Sequence, residues 1–281
     1  MKAFLLLWFM LPFTVLSAQH LIYPSIEKLW ETSGGMITPE SVLFDAETGI
    51  LYVANINENP WTKDGNGFIS QLSTQGEIIK LKWATGLDAP KGMGLANGFI
   101  FVTNIDEVVK IDKITGEVIQ RFTHPEAINL NDIAVSEDNR IFISDSRGPC
   151  LFELTDNLTI LIQSDDVKAS NGLEVEGKLL LAGQRNRIVA IDLNTLKVST
   201  FISNTGSIDG LEAVGDGTYL ISDWAGKIQC VGPSQDALVL IDTSPDKINA
   251  ADIEFNVADG ILYVPTFFHN SVSALKINFQ K

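Results

Sequence analysis

The chain has 281 residues, 45% of them hydrophobic and 20% charged, the composition of a globular protein long enough to bury a sizeable core. Its 35 acidic residues against 20 basic ones leave a net charge of −15, which argues against binding nucleic acid or an anionic lipid surface through charge. Its two cysteines, Cys150 and Cys230, and three histidines form no cluster at zinc-binding spacing.

The first predicted element is an export signal over residues 1–18. Met1-Lys2 is a short basic start, AFLLLWFMLPFTVL (3–16) an apolar stretch, and Ser17-Ala18 a small-residue cleavage site. The stretch is short for a membrane span and contains Pro12. Position 19 is Gln, where a lipoprotein signal requires Cys. The expectation is a periplasmic or secreted protein with no membrane attachment once the signal is removed. The mature chain then begins at Gln19 with a net charge of 19 − 35 = −16.

After a lone strand-like run, IEKLWET (26–32), a pattern begins that recurs six times. Each unit pairs a short apolar run with a second one after a turn: SVLF with ILYVANI (50–56), GMGL with FIFVTNI (99–105), DIAV with IFISDS (141–146). GLEV precedes LLLAGQ (179–184), GLEAV precedes TYLISDW (218–224), and DIEF precedes ILYVPTF (261–267). Further strand-like pairs follow, such as FISQL with EIIKL and IVAID with VSTFI, some with period-two alternation. Long helical patterns are absent between the units. Six units of four short strands predict an all-β chain, a single six-bladed β-propeller over 19–281. The last unit lacks a fourth strand, so the run at 26–32 is expected to complete it and close the ring. Cys150 and Cys230 fall in non-adjacent units, which argues against a mutual disulfide. The loop NENPWTKDGNG (57–67) is the longest insertion and is expected to elaborate one rim.

In a propeller the first strand of every blade lines the central channel. The residues at its start form one column: Glu40, Lys91, Asn131, Asn171, Asp209 and Ala251, spaced by 51, 40, 40, 38 and 42. The Asn171-Gly172 pair in KASNGLEV reads on its own as a turn. In the column it joins two carboxylates and another amide. Four oxygen side chains in one ring suit a hard divalent cation, Ca²⁺ or Mg²⁺, with Ca²⁺ the more tolerant of ligands drawn from separate blades. The next column, Ser41, Gly92, Asp132, Gly172, Gly210 and Asp252, reads as structural, as do Asp145 and Asp223.

The Glu at the start of the first unit, the Asn-Asp of LNDIAV, the Asn-Gly of SNGLEV and the Asp-Gly of IDGLEAV, in that order, resemble the gluconolactonase family. That family includes regucalcin (senescence marker protein) and diisopropylfluorophosphatase-type hydrolases. The resemblance spans the mature chain. It implies a six-bladed propeller holding Ca²⁺ or another divalent cation through Glu40, Asn131, Asn171 and Asp209, and hydrolysis of a lactone or related ester. The chain departs from the family at Asn129, where sugar lactonases often carry a substrate-contacting Arg, and at Ser41-Val42, where Gly-Pro is common.

Asp209 is the candidate catalytic group, as ligand and as activator of water or direct nucleophile. His269, in TFFHNSV, is a candidate for proton transfer, with Phe267 and Phe268 lining an apolar pocket. Lys91 and Asn129 are candidate substrate contacts along with Phe268. The Lys91 ammonium has four available roles: repelling a dication, neutralising Glu40 and Asp209, binding a substrate carboxylate, or simply bending outwards to solvent. Trp61 and Trp224 are candidates to shape the pocket. The expected partner is a small-molecule substrate, with the chain monomeric. The alternative reading is a non-catalytic exported propeller that binds a small ligand or a protein.

Overall fold

The runs ILYVAN, IFISD and LLLAGQ carry almost no polar alternation because both of their faces are covered. Nearly every side chain of Ile50–Asn55, Ile141–Asp145 and Leu179–Gln184 is buried. Outer strands such as Val118–Thr123 and Val198–Ser203 are largely exposed. This gradient across a four-stranded sheet is that of a blade packed between two others.

The computed structural model describes residues 24–32, 34–233 and 235–279. The predicted signal peptide lies outside the described residues. Strand β1 (Ser25–Glu31) stands apart from the first blade, which consists of β2 (Pro39–Asp45), β3 (Ile50–Asn55), β4 (Gly67–Ser73) and β5 (Ile78–Leu87). Blades 2 to 5 are β6–β9 (90–123), β10–β13 (130–163), β14–β17 (173–203) and β18–β21 (211–242). Blade 6 combines β22–β24 (254–278) with β1 in the order β1-β24-β23-β22. All pairings within the blades are antiparallel, and β1 pairs with β24 from Ser25↔Asn278 to Glu31↔Ser273. The predicted closure by the N-terminal strand is therefore observed. The outer strand β5 is longer than the sequence pattern suggests, because register shifts let it follow β4 as far as Leu87.

The core is divided among the six interfaces between blades. Phe101, Val108 and Phe122 of blade 2 pack with Ile133, Ile143 and Phe152 of blade 3. At the closure, Val42, Leu51 and Val53 of blade 1 meet Tyr263, Val272 and Ala274 of blade 6. No blade has a core of its own, so the ring stabilises each member through its neighbours. Both cysteines are buried and free.

The inner strands contact one another in turn around the axis. Their approach is close enough for the Asp252 amide to donate to the Glu40 carbonyl at 2.9 Å. This explains the second column of the sequence. A Cβ on Gly172 would lie 2.7 Å from the Asp209 carbonyl oxygen and 2.8 Å from the Leu211 nitrogen. One on Gly92 would lie 2.5 Å from Asp132 Cα, and one on Gly210 2.5 Å from the Ile253 nitrogen. Neither Asn171 nor Gly172 has a positive φ. The Asn-Gly pair is thus no left-handed turn; its glycine is required by the neighbouring blade.

Candidate metal and substrate site

The second strands place the column. Thr103 Oγ1 of blade 2 donates to the Asn131 carbonyl of blade 3 at 2.6 Å. In blade 5, Ser222 Oγ donates to the Ala251 carbonyl at 2.7 Å and accepts from the Gly210 amide at 2.8 Å. In blades 2 and 3 the following residue of the second strand ties down the loop that enters the channel. Asn104 Oδ1 accepts from the Asp88 and Ala89 amides, and Asp145 from those of Ile128, Asn129, Arg147 and Gly148. The structural roles expected for Asp145 and for Asp132, which accepts from the Leu173 amide of the next blade at 2.6 Å, are observed. The inner ladders are interrupted at the column itself. Register shifts fall between Pro39 and Ser41, Pro90 and Met93, and Leu130 and Ile133. These irregularities turn Glu40, Lys91 and Asn131 out of the pleat toward the axis.

As a result, five members of the column line one cavity of about 400 Å³: Glu40, Lys91, Asn131, Asn171 and Asp209. Ser146, Ile56 and Pro60 add to its wall, and Trp61, Trp224, Phe267 and Phe268 form its aromatic part. Trp224 meets Phe267 and Phe268 edge-on at 5.5 and 5.8 Å. Phe267 holds a φ of +48°, a region bulky side chains rarely enter, and one that costs of order 1–3 kcal/mol. Trp61 comes from the 57–67 insertion, which is pinned to blade 2 by the Lys63–Asp106 ion pair and by the Gly65 amide on Asp88 Oδ1.

Oxygens without partners distinguish the cavity floor. Glu40 Oε2, Asn171 Oδ1 and Asp209 Oδ2 are buried and accept no hydrogen bond from the described residues. Asn171 Nδ2 donates to Asp209 Oδ1 at 2.6 Å. Asn131 Nδ2 reaches Ser146 Oγ at 3.4 Å, and its side-chain oxygen Oδ1 has no hydrogen bond among the described residues. Burying such acceptors unpaired is costly, so a positively charged occupant fits this donor set. Among the described residues no three His, Cys, Asp or Glu side chains converge as metal ligands. The quartet has two carboxylates and two amides, a set suited to a hard cation.

The charges are mutually strained. Burial pushes Asp209 up to about 7, helped by Asp132 and Asp223 and opposed by the Asn171 hydrogen bond. Burial, then Asp209, raises Glu40 well above the usual carboxylate range. Burial lowers the Lys91 ammonium, which the Arg147 charge lowers further while Glu40 and Asp209 resist.

Two sequence candidates stand elsewhere. His269 does not line the cavity; its Nε2 is 3.3 Å from Glu31 Oε1, so it belongs to the closure of blade 6. Asn129 is 2% exposed and one layer back, with Nδ2 donating to Ser146 Oγ at 2.6 Å. Phe268 is at the wall and 61% exposed. Arg147, which the sequence reading did not single out, lies at the rim with its guanidinium carbon 3.8 Å from the Trp61 ring centroid. Its signal was position: it follows a second strand at the same rim as Phe267 and Phe268.

No family profile and no curated protein matches the sequence. Solved structures do. A catalytically inactive His-to-Ala variant of virginiamycin B lyase from Staphylococcus aureus, with quinupristin, aligns at a TM-score of 0.62 and 13% identity, covering 90% of this chain and 99% of that one. A streptogramin B lyase aligns at 0.65 and 14%, covering 92% and 99%. A provisionally designated gluconolactonase aligns at 0.66 and 16%, covering 92% and 93%. At these identities the likeness establishes the fold: the chain is a six-bladed propeller of the form shared by gluconolactonase-like proteins and streptogramin B lyases.

Proposed function

We propose that this chain is an exported, divalent-cation-dependent hydrolase that opens a lactone or related ester in its central cavity. The observation that carries this reading is the group of orphaned oxygens on Glu40, Asn171 and Asp209 around one cavity. Glu40, Asn131, Asn171 and Asp209 would hold the cation, with Ca²⁺ the best match to ligands from four blades. A bound cation would polarise the ester carbonyl and stabilise the developing oxyanion.

The chain's own groups supply the rest. Asp209 keeps Oδ1 on Asn171 and has Oδ2 without a partner among the described residues; in this reading its carboxylate would both ligate the cation and take the proton of an attacking water. The Asn171 bond fixes the carboxylate plane, so the free oxygen is oriented before substrate arrives. Trp61, Trp224, Phe267 and Phe268 hold the apolar part of the substrate and exclude bulk water. With His269 turned to Glu31, proton transfer falls to Asp209.

A second reading is favoured by one observation, the Lys91 ammonium buried in the same ring as the carboxylates. With Lys91 as the counter-charge, the propeller would be a non-catalytic binder. The fold does not choose, since its solved neighbours include lyases by name as well as a gluconolactonase-like protein. Calorimetric Ca²⁺ titration of the intact, chelator-treated protein against Asp209→Ala separates the two. Stoichiometric binding lost in the variant, together with turnover of a lactone and p-nitrophenyl ester panel abolished in Asp209→Asn, supports the hydrolase. A folded protein that binds neither Ca²⁺, Mg²⁺ nor Mn²⁺ makes the binding propeller the correct reading.

A further inference from the structure

Two cationic side chains, Lys91 in the cavity lining and Arg147 beside its Trp61 wall, have no carboxylate partner among the described residues. Lys91 is 2% exposed, and its hydrogen bond among the described residues is a long one, 3.3 Å to the Ala89 carbonyl. Its Nζ lies 5.7 Å from the Trp61 ring centroid, and the Arg147 guanidinium carbon lies 3.8 Å from the same centroid. Ion pairs among the described residues are made by Lys28, Lys63, Lys113, Arg121 and Arg140, but not by Lys91 or Arg147. The carboxylate nearest Arg147 in sequence, Asp145, is occupied with four backbone amides, including those of Arg147 and Gly148 at 2.9 and 2.7 Å. That loop is therefore tied to Asp145, and the guanidinium it carries is stacked on Trp61 with no hydrogen bond among the described residues.

A buried ammonium without an ion pair is expensive unless an anion arrives. Glu40 and Asp209 are the intrinsic charges closest to that role, but a dication on the cavity floor would neutralise both. Lys91 and Arg147 would then hold the surplus positive charge. The planar guanidinium matches a carboxylate through two parallel hydrogen bonds, and the ammonium adds a point charge. Trp224, Phe267 and Phe268 supply an apolar wall to the same cavity.

We infer that Lys91 and Arg147, both set against Trp61, form a recognition site for a carboxylate on the ligand, so that the substrate is an acidic ester or lactone with an apolar or aromatic body. The ester in this statement rests on the proposed hydrolysis; the carboxylate site rests on binding alone.

The test is a binding comparison that needs no turnover. 3-Phenylpropanoate and its neutral isostere 3-phenylpropanamide are titrated into the intact protein, with and without saturating Ca²⁺, and read by calorimetry and tryptophan quenching. The carboxylate is expected to bind roughly tenfold or more tighter than the amide when Ca²⁺ is present. Arg147→Gln, at an exposed position that leaves the core intact, should erase most of that ratio while leaving amide affinity unchanged. Lys91→Met should erase the remainder. Equal affinity for the two probes, absence of carboxylate binding, or a ratio that survives Arg147→Gln overturns the site. Phenyl phosphate binding more tightly than the carboxylate would reassign the anion and overturn the carboxylate assignment. Carboxylate preference without any ester cleavage would remove the hydrolase reading alone; equal cleavage of acidic and neutral esters would remove this inference alone. Curves that are identical with and without Ca²⁺ would locate the failure in the metal site.

Discussion

The Asn171 side-chain nitrogen donates to Asp209 Oδ1 at 2.6 Å, joining blade 4 to the adjacent blade 5 at the channel and leaving on each side chain an oxygen without a partner among the described residues. One amide thus does two things: it orients the carboxylate and presents a neutral oxygen beside it.

Asn171→Ala removes both. Ca²⁺ affinity should fall by about 10–100-fold, the usual cost of losing a group that orients a metal ligand, with the fold retained. Calorimetry checks the affinity and circular dichroism the fold. Unchanged affinity would mean that Asn171 serves packing alone.

Lys91→Met should have the opposite sign. Removing a buried ammonium from a ring that holds Glu40 and Asp209 removes a competitor for their charge. Ca²⁺ affinity should rise by about tenfold, equivalent to roughly 1.4 kcal/mol. A weaker or equal affinity would show that the lysine does not oppose the cation.

Gly172→Ala tests the close approach of the inner strands. The added methyl would meet backbone atoms of blade 5 at 2.7–2.9 Å, which no rotamer change relieves. Destabilisation of about 1–3 kcal/mol is expected from urea unfolding at constant m-value. A change near zero would mean that blades 4 and 5 part readily.

The pH dependence follows from the channel half below the site. Asp132, Glu174, Glu212, Asp252 and Glu254 surround a second cavity of about 240 Å³. Burial, with Glu254 and Asp132 adding repulsion, pushes Glu174 up to about 8, and burial pushes Glu254 up to about 7. Burial and the same neighbours raise Glu212 well above the usual range, while burial, Asp132 and Glu40 raise Asp252. These groups bind protons more tightly folded than unfolded, so stability falls as pH rises from the ordinary value near 4.5 through about 8. In chelator, Tm should be several degrees higher at pH 5 than at pH 8. Glu174→Gln should flatten the slope and stabilise the protein at pH 8 by about 1 kcal/mol, or about 2–4 °C. A Tm that rises with pH over this window would show that the acids are paired rather than repelling.

The sequence by itself determined the ring. Six recurrences of a strand pair, a missing last strand and a spare first one suffice for blade number and closure, because strand formation and turn chemistry are local. It also determined which residues share the channel floor. Position relative to the start of the inner strand is a one-dimensional quantity, and Glu40, Lys91, Asn131, Asn171 and Asp209 do converge. Only the tertiary structure decided what surrounds them. His269 and Arg147 both follow second strands at the same rim, yet one turns to Glu31 of the closing strand and the other stacks on Trp61 of the first-blade insertion. Those choices depend on segments more than 80 residues away in sequence. The glycine at 172 is likewise decided by the distance to blade 5, since its own backbone dihedrals would accept any residue. Local pattern sets where a side chain starts; packing between blades sets what it meets.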